Sequence, residues 1–166
     1  MFRRKKTPDE KADLIGDRLI GSVPEVVEFV LGQLQEKYNI VLGSGKNQAA
    51  LLETFAFCMH IVDGMAFQAL GIGGRAAFGD RLTAKVASVV ASADIVERFL
   101  DTYNKRQLQY ARCPEMLAAK GEALKGTLIW EFSKVLFELT GDPNPTTSSS
   151  FPSWYATCFQ SCFATP

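Results

Sequence analysis

The chain has 166 residues, 47% hydrophobic, 22% charged and 11% aromatic, with a mean hydropathy of +0.02. That length suits one domain, or one domain with a tail, burying roughly two-thirds of its unfolded surface. Eighteen basic and eighteen acidic residues cancel, which argues against a bulk electrostatic footprint for nucleic acid, and the lone histidine, His60, excludes a multi-histidine metal site within one chain.

Arg3, Arg4, Lys5 and Lys6 concentrate positive charge at the start, and residues 1–7 are expected to be a disordered, solvated basic head. Against anionic lipid each such charge is worth ~1 kcal/mol. A signal peptide is not expected, because Thr7-Pro8-Asp9-Glu10-Lys11 stands where an apolar segment should follow the charges. The four cysteines do not amount to a disulfide scaffold in a chain of this length, and a reducing, cytoplasmic setting is expected.

From Pro8 onward the pattern is helical. Thr7-Pro8-Asp9-Glu10 is a capping box with proline at the first helical position. Ser22-Val23-Pro24-Glu25 repeats that spacing, as does Asp94-Ile95-Val96-Glu97 with aspartate as the cap. These signals predict helices near 8–20, 23–38, 46–71, 75–92, 94–112 and 115–140. The fold class expected is all-α, a bundle of about six helices over 8–141. The run Tyr38 to Leu42 is strand-like but too isolated to build a sheet.

Within 46–71, Leu51, Phe55, Cys58, Val62 and Met65 form an apolar stripe that Leu52, Met59 and Leu70 widen. The opposite side carries the small residues Ala49, Ala56 and Gly64, so this helix is expected to be surrounded on most sides. In 115–140 the stripe is Leu124, Leu128, Phe132, Val135 and Leu139. Trp130 and Phe137 lie about 180° from its centre at 100° per residue. A helix apolar on two faces is central, or pinned between a core and a partner subunit. Gly121 and Gly126 are candidate interruptions, each costing ~1 kcal/mol relative to alanine.

Asp142-Pro143-Asn144-Pro145 stops that helix, and 142–150 is read as a flexible polar linker. Residues 151–166 carry no charge yet hold five of the eighteen aromatics. Trp154, Tyr155, Cys158, Phe159, Cys162 and Phe163 recur at helical spacing as one stripe, with Ser153 a suitable N-cap. At ~25 cal/mol per Å2 such a surface does not stay in water, so this segment is expected to be a docking tail. The four prolines and the Thr/Ser run between Pro143 and Pro166 argue against a membrane span there.

Gly43-Ser44-Gly45-Lys46 shares its glycine and lysine with phosphate-binding loops, but Ile40 replaces the first glycine and Asn47 the magnesium-binding hydroxyl. Gly71-Ile72-Gly73-Gly74 begins like a dinucleotide fingerprint, but a helix rather than a strand precedes it. The glycines are expected to end one helix and reverse the chain into the next.

The candidate ligand or metal set is Glu53, His60, Asp63 and Glu131. His60 and Asp63 stand one turn apart, Glu53 lies about 10 Å from His60 along the axis, and Glu131 would complete the set from another helix. The paired Glu-x-x-His pattern of di-iron bundles is absent. The plainer expectation is a buried polar network with His60 paired to a carboxylate. No cofactor is expected beyond a metal at that set. Cys58 and Cys113 read as structural, and Cys158 and Cys162 as small hydrophobes. Lys105, Arg106 and Arg112 with Tyr103 and Tyr110 form a modest basic-aromatic surface that ordinary solvation explains equally well.

No catalytic constellation emerges. The function expected is that of a non-enzymatic interaction or oligomerisation protein, with a homodimer or another protein as partner. Its contact residues would be Trp154, Tyr155, Phe159, Phe163, Trp130 and Phe137. A ligand- or metal-binding bundle is second. A membrane-surface protein is last, because the polar face of the tail carries no Lys or Arg.

Overall fold

A computed structural model describes residues 6–89, 93–113 and 126–140. Residues 1–5 of the expected head, the 115–125 part of the last expected helix, the linker 142–150 and the tail 151–166 lie outside the described residues. Every regular element among those described is helical: α1 (Pro8–Tyr38), α2 (Ser44–Ala87), α3 (Ala93–Tyr110) and α4 (Leu128–Thr140). The all-α class therefore holds. The count of six is corrected to four, because two expected pairs are continuous.

The first fusion is α1. Thr7 caps it as expected: its Oγ1 accepts from Glu10 N, and Glu10 Oε2 accepts from Thr7 N at 2.8 Å. The second start expected at Ser22 does not occur, and the helix runs through Pro24. A mid-helix proline loses one backbone hydrogen bond and costs about 3 kcal/mol. Val23, Val26, Val27, Val30 and Leu34, all buried, offset that by packing one face along the core. Asn39, in the left-handed conformation at φ 54°, ends the helix.

The second fusion is α2, and here the boundary survives as a bend. Gly71 adopts φ 67°, ψ −175°, a conformation open almost only to glycine. In a straight helix Asp63 and Arg75 would stand about 18 Å apart. They form a bidentate ion pair, with Arg75 Nε donating to Asp63 Oδ1 at 2.9 Å, so the helix folds back at this elbow. The Arg75 guanidinium also lies 5.5 Å from the Phe67 ring centre.

The five-residue connection 39–43 sets the first half of α2 antiparallel to α1. After the elbow the second half runs alongside the start of α1, where Arg81 holds Asp13 at 2.8 and 2.9 Å and Lys85 reaches Asp17 at 2.8 Å. Gly16 lets these helices approach closely, since a Cβ there would meet Lys85 Cγ at 2.7 Å.

Gly126, at φ 80°, precedes α4, and Thr127 Oγ1 accepts from Trp130 N to start the helix. α4 packs on the first half of α2: Phe132 stacks on Phe57 at 4.0 Å and 9°. Tyr110 of α3 meets the same Phe57 edge-on at 5.9 Å. This aromatic junction of α2, α3 and α4 is the centre of the core. Each such ring pair adds ~0.5–1.5 kcal/mol beyond area burial. The stripe expected to enclose 46–71 holds for Leu52, Phe55, Cys58 and Met59, but Met65 is 59% exposed. α4 meets the upstream half of α2 through Phe57, Ala50 and Thr54.

Candidate functional site

A polar seam runs over the aromatic junction. Arg106 projects from α3 into it and is buried, together with Tyr110. The solvated basic-aromatic surface read from the sequence is thus corrected at these two positions. Arg106 Nε donates to Glu53 Oε2 at 2.6 Å and Nη2 to Glu53 Oε1 at 2.7 Å, a fork-on-fork pair, while Nη1 donates to Gln109 Oε1. Gln109 Nε2 in turn donates to Glu131 Oε2 at 3.4 Å, and Lys134 Nζ lies 2.8 Å from the Glu131 carboxylate. One chain of hydrogen bonds therefore ties α2, α3 and α4 together. Burial works against the Arg106 charge, but the Glu53 carboxylate more than offsets it and holds the guanidinium above its ordinary range.

His60 sits beside this chain. Its Nδ1 lies 2.6 Å from Gln107 Oε1, which places the proton on Nδ1 and makes the amide carbonyl the acceptor. The expected carboxylate partner is therefore replaced by an amide. The imidazole also meets the Tyr110 ring edge-on at 5.4 Å. Two buried polar atoms, Gln107 Nε2 and the Tyr110 hydroxyl, have no hydrogen-bond partner among the described residues. Burial, then the Glu53 charge, pushes the Tyr110 phenol well up and keeps it neutral.

The four candidate ligand residues are thus distributed over separate pairings. Glu53 is taken by Arg106, Asp63 by Arg75 at the elbow, Glu131 by Lys134 and Gln109, and His60 by Gln107. Among the described residues no three His, Cys, Asp or Glu side chains converge as a metal would require. The Cys58 thiol, fully enclosed, is pushed up to about 12 by burial alone. Burial, then the Glu131 charge, also raises Cys113. Neither thiol is set up as a nucleophile.

Of the six expected contact residues, Phe137 is buried in the core and Trp130 half-buried against it. Trp154, Tyr155, Phe159 and Phe163 lie outside the described residues. What sequence reasoning missed is the α3 face Arg106, Gln107 and Gln109. The spacing within α3 carries no mark of partners that lie on two other helices.

Two places stand out among the exposed apolar side chains, with Leu14, Phe29, Val89 and Leu108 exposed elsewhere. One is the elbow, where Met65, Phe67 and Ile72 face solvent. The other is the end of the bundle at the α1–α2 connection. There Leu31, Leu34, Leu42, Ala50 and Leu136 line a shallow crevice without exposed polar atoms, and Val41 beside it is 72% exposed. By length and composition alone α2 could cross a membrane, as core helices of soluble proteins also could. No protein-family model, curated protein or solved structure matches the chain.

Proposed function

We propose that this chain is a non-enzymatic helical interaction protein whose apolar segment 151–166 docks in a groove of the bundle, and that exchange of the segment between two copies makes a homodimer. The single observation that carries this reading is the segment itself: sixteen uncharged residues with five aromatics, four of them on one helical stripe. Burying them is the main source of binding free energy the chain offers. Support also comes from the polar seam, whose carboxylates Glu53 and Glu131 are each neutralised by a cation of the same chain, an arrangement suited to joining helices. The connection 142–150, with two prolines and a Thr/Ser run, is the hinge type through which segments are exchanged.

Removing residues 141–166 tests it. The intact chain should sediment as a dimer. The shortened chain should sediment as a monomer and bind more of a hydrophobic dye. An unchanged mass would contradict the exchange.

A second reading, a ligand-binding bundle around His60, draws on the two unpartnered atoms of Gln107 and Tyr110. The pairing of Glu53, Asp63 and Glu131 with cations speaks against its metal form.

A further inference from the structure

We infer that the surface receiving segment 151–166 is the apolar end of the bundle formed by Leu31, Val41, Leu42, Leu136 and Leu139. This rests on the docking reading above and assigns it a place. Leu31, Leu42 and Leu136 line one crevice contributed by α1, the α1–α2 connection and α4. Val41, next in the chain to Leu42, is 72% exposed, and Leu139 is half-buried one turn beyond Leu136. Within the five-residue connection Ile40 packs against the core, but Val41 beside it stays exposed, although connections are ordinarily polar.

Proximity favours this surface over the elbow. Thr140, the last residue of α4, is one turn, about 6 Å, past Leu136, so the connection starts at the rim of the crevice. Fourteen residues, 141–154, run from the end of α4 to Trp154 and span at most about 46–50 Å when fully extended. The elbow at Gly71 lies 21 residues along α2 from Ala50 of the crevice, about 32 Å at 1.5 Å per residue. Bringing Trp154 there would draw the connection out to about two-thirds of its full length, at an entropic cost that docking beside Thr140 does not carry. The crevice needs no such extension. An exchanged segment makes the same contact as an unexchanged one, so the receiving surface is the same whichever copy supplies it.

The test uses the full chain carrying Trp130→Phe, which leaves Trp154 as the single tryptophan. Its emission should be blue-shifted and weakly quenched by acrylamide. Adding Val41→Asp, at an exposed position that tolerates substitution, should shift the emission to the red and raise quenching several-fold with helical circular dichroism unchanged. Adding Met65→Asp at the elbow should leave Trp154 as it was. If Met65→Asp exposes Trp154 and Val41→Asp does not, the segment docks at the elbow and the assigned surface is overturned while docking stands. If Trp154 is already water-exposed before either change, docking itself is overturned.

Discussion

Arg106 is the side chain on which the seam turns, because its guanidinium serves Glu53 and Gln109 at once. Replacing it by methionine keeps most of the apolar stem and leaves the Glu53 carboxylate partly buried without its cation. Breaking a buried pair from one side costs about 3–5 kcal/mol, and Glu53 retains enough exposure to place the loss near about 3 kcal/mol. The double variant Glu53→Leu, Arg106→Met should recover to within about 1 kcal/mol of the parent, since neither charge is then stranded. Urea unfolding of the two single variants and the double checks this. Single variants indistinguishable from the parent would contradict a structural role for the seam. Glu53, His60 and Glu131 were legible in the sequence as polar intrusions on apolar helices, but the partners of Glu53 and His60 on α3 were not. A cation 53 residues away along the chain leaves no periodic trace, and Arg106 looks like any surface arginine until α3 is docked.

At the scale of elements, local chemistry was legible wherever it was decided locally. Thr7 and Glu10 form the capping box their spacing calls for, and Gly71 begins the reversal that the glycine run announces. Pro24 misled because burial of the valines around it outweighs the lost backbone bond, and packing of that kind is decided by α2 rather than by α1. The elbow yields a pair of contrasting substitutions. Gly71→Ala forces a Cβ into a glycine-only conformation and should cost about 1–3 kcal/mol. Gly64→Ala, in regular exposed helix with nothing within 4 Å of the added carbon, should stabilise by about 0.4–1 kcal/mol. Thermal unfolding of both distinguishes them. Equal effects at the two sites would mean the elbow is not fixed by Gly71.

At the scale of the whole molecule, the described helices are joined by pairwise locks at three levels. Asp13–Arg81 and Asp17–Lys85 fasten the far half of α2 to α1, Asp63–Arg75 closes the elbow, and the Arg106 seam holds α3 and α4. These charges fasten the fold internally, while the uncharged, aromatic-rich segment 151–166 stands apart in the sequence from the helices that carry them. The central claim is that this segment makes the chain an assembling protein without a bound small molecule. Native mass spectrometry of the purified chain tests it most directly. The account predicts twice the 18.3 kDa monomer with no added mass. A bare monomer would contradict assembly by exchange, and an excess mass that disappears on denaturation would contradict the absence of a ligand and move attention to the helices around His60.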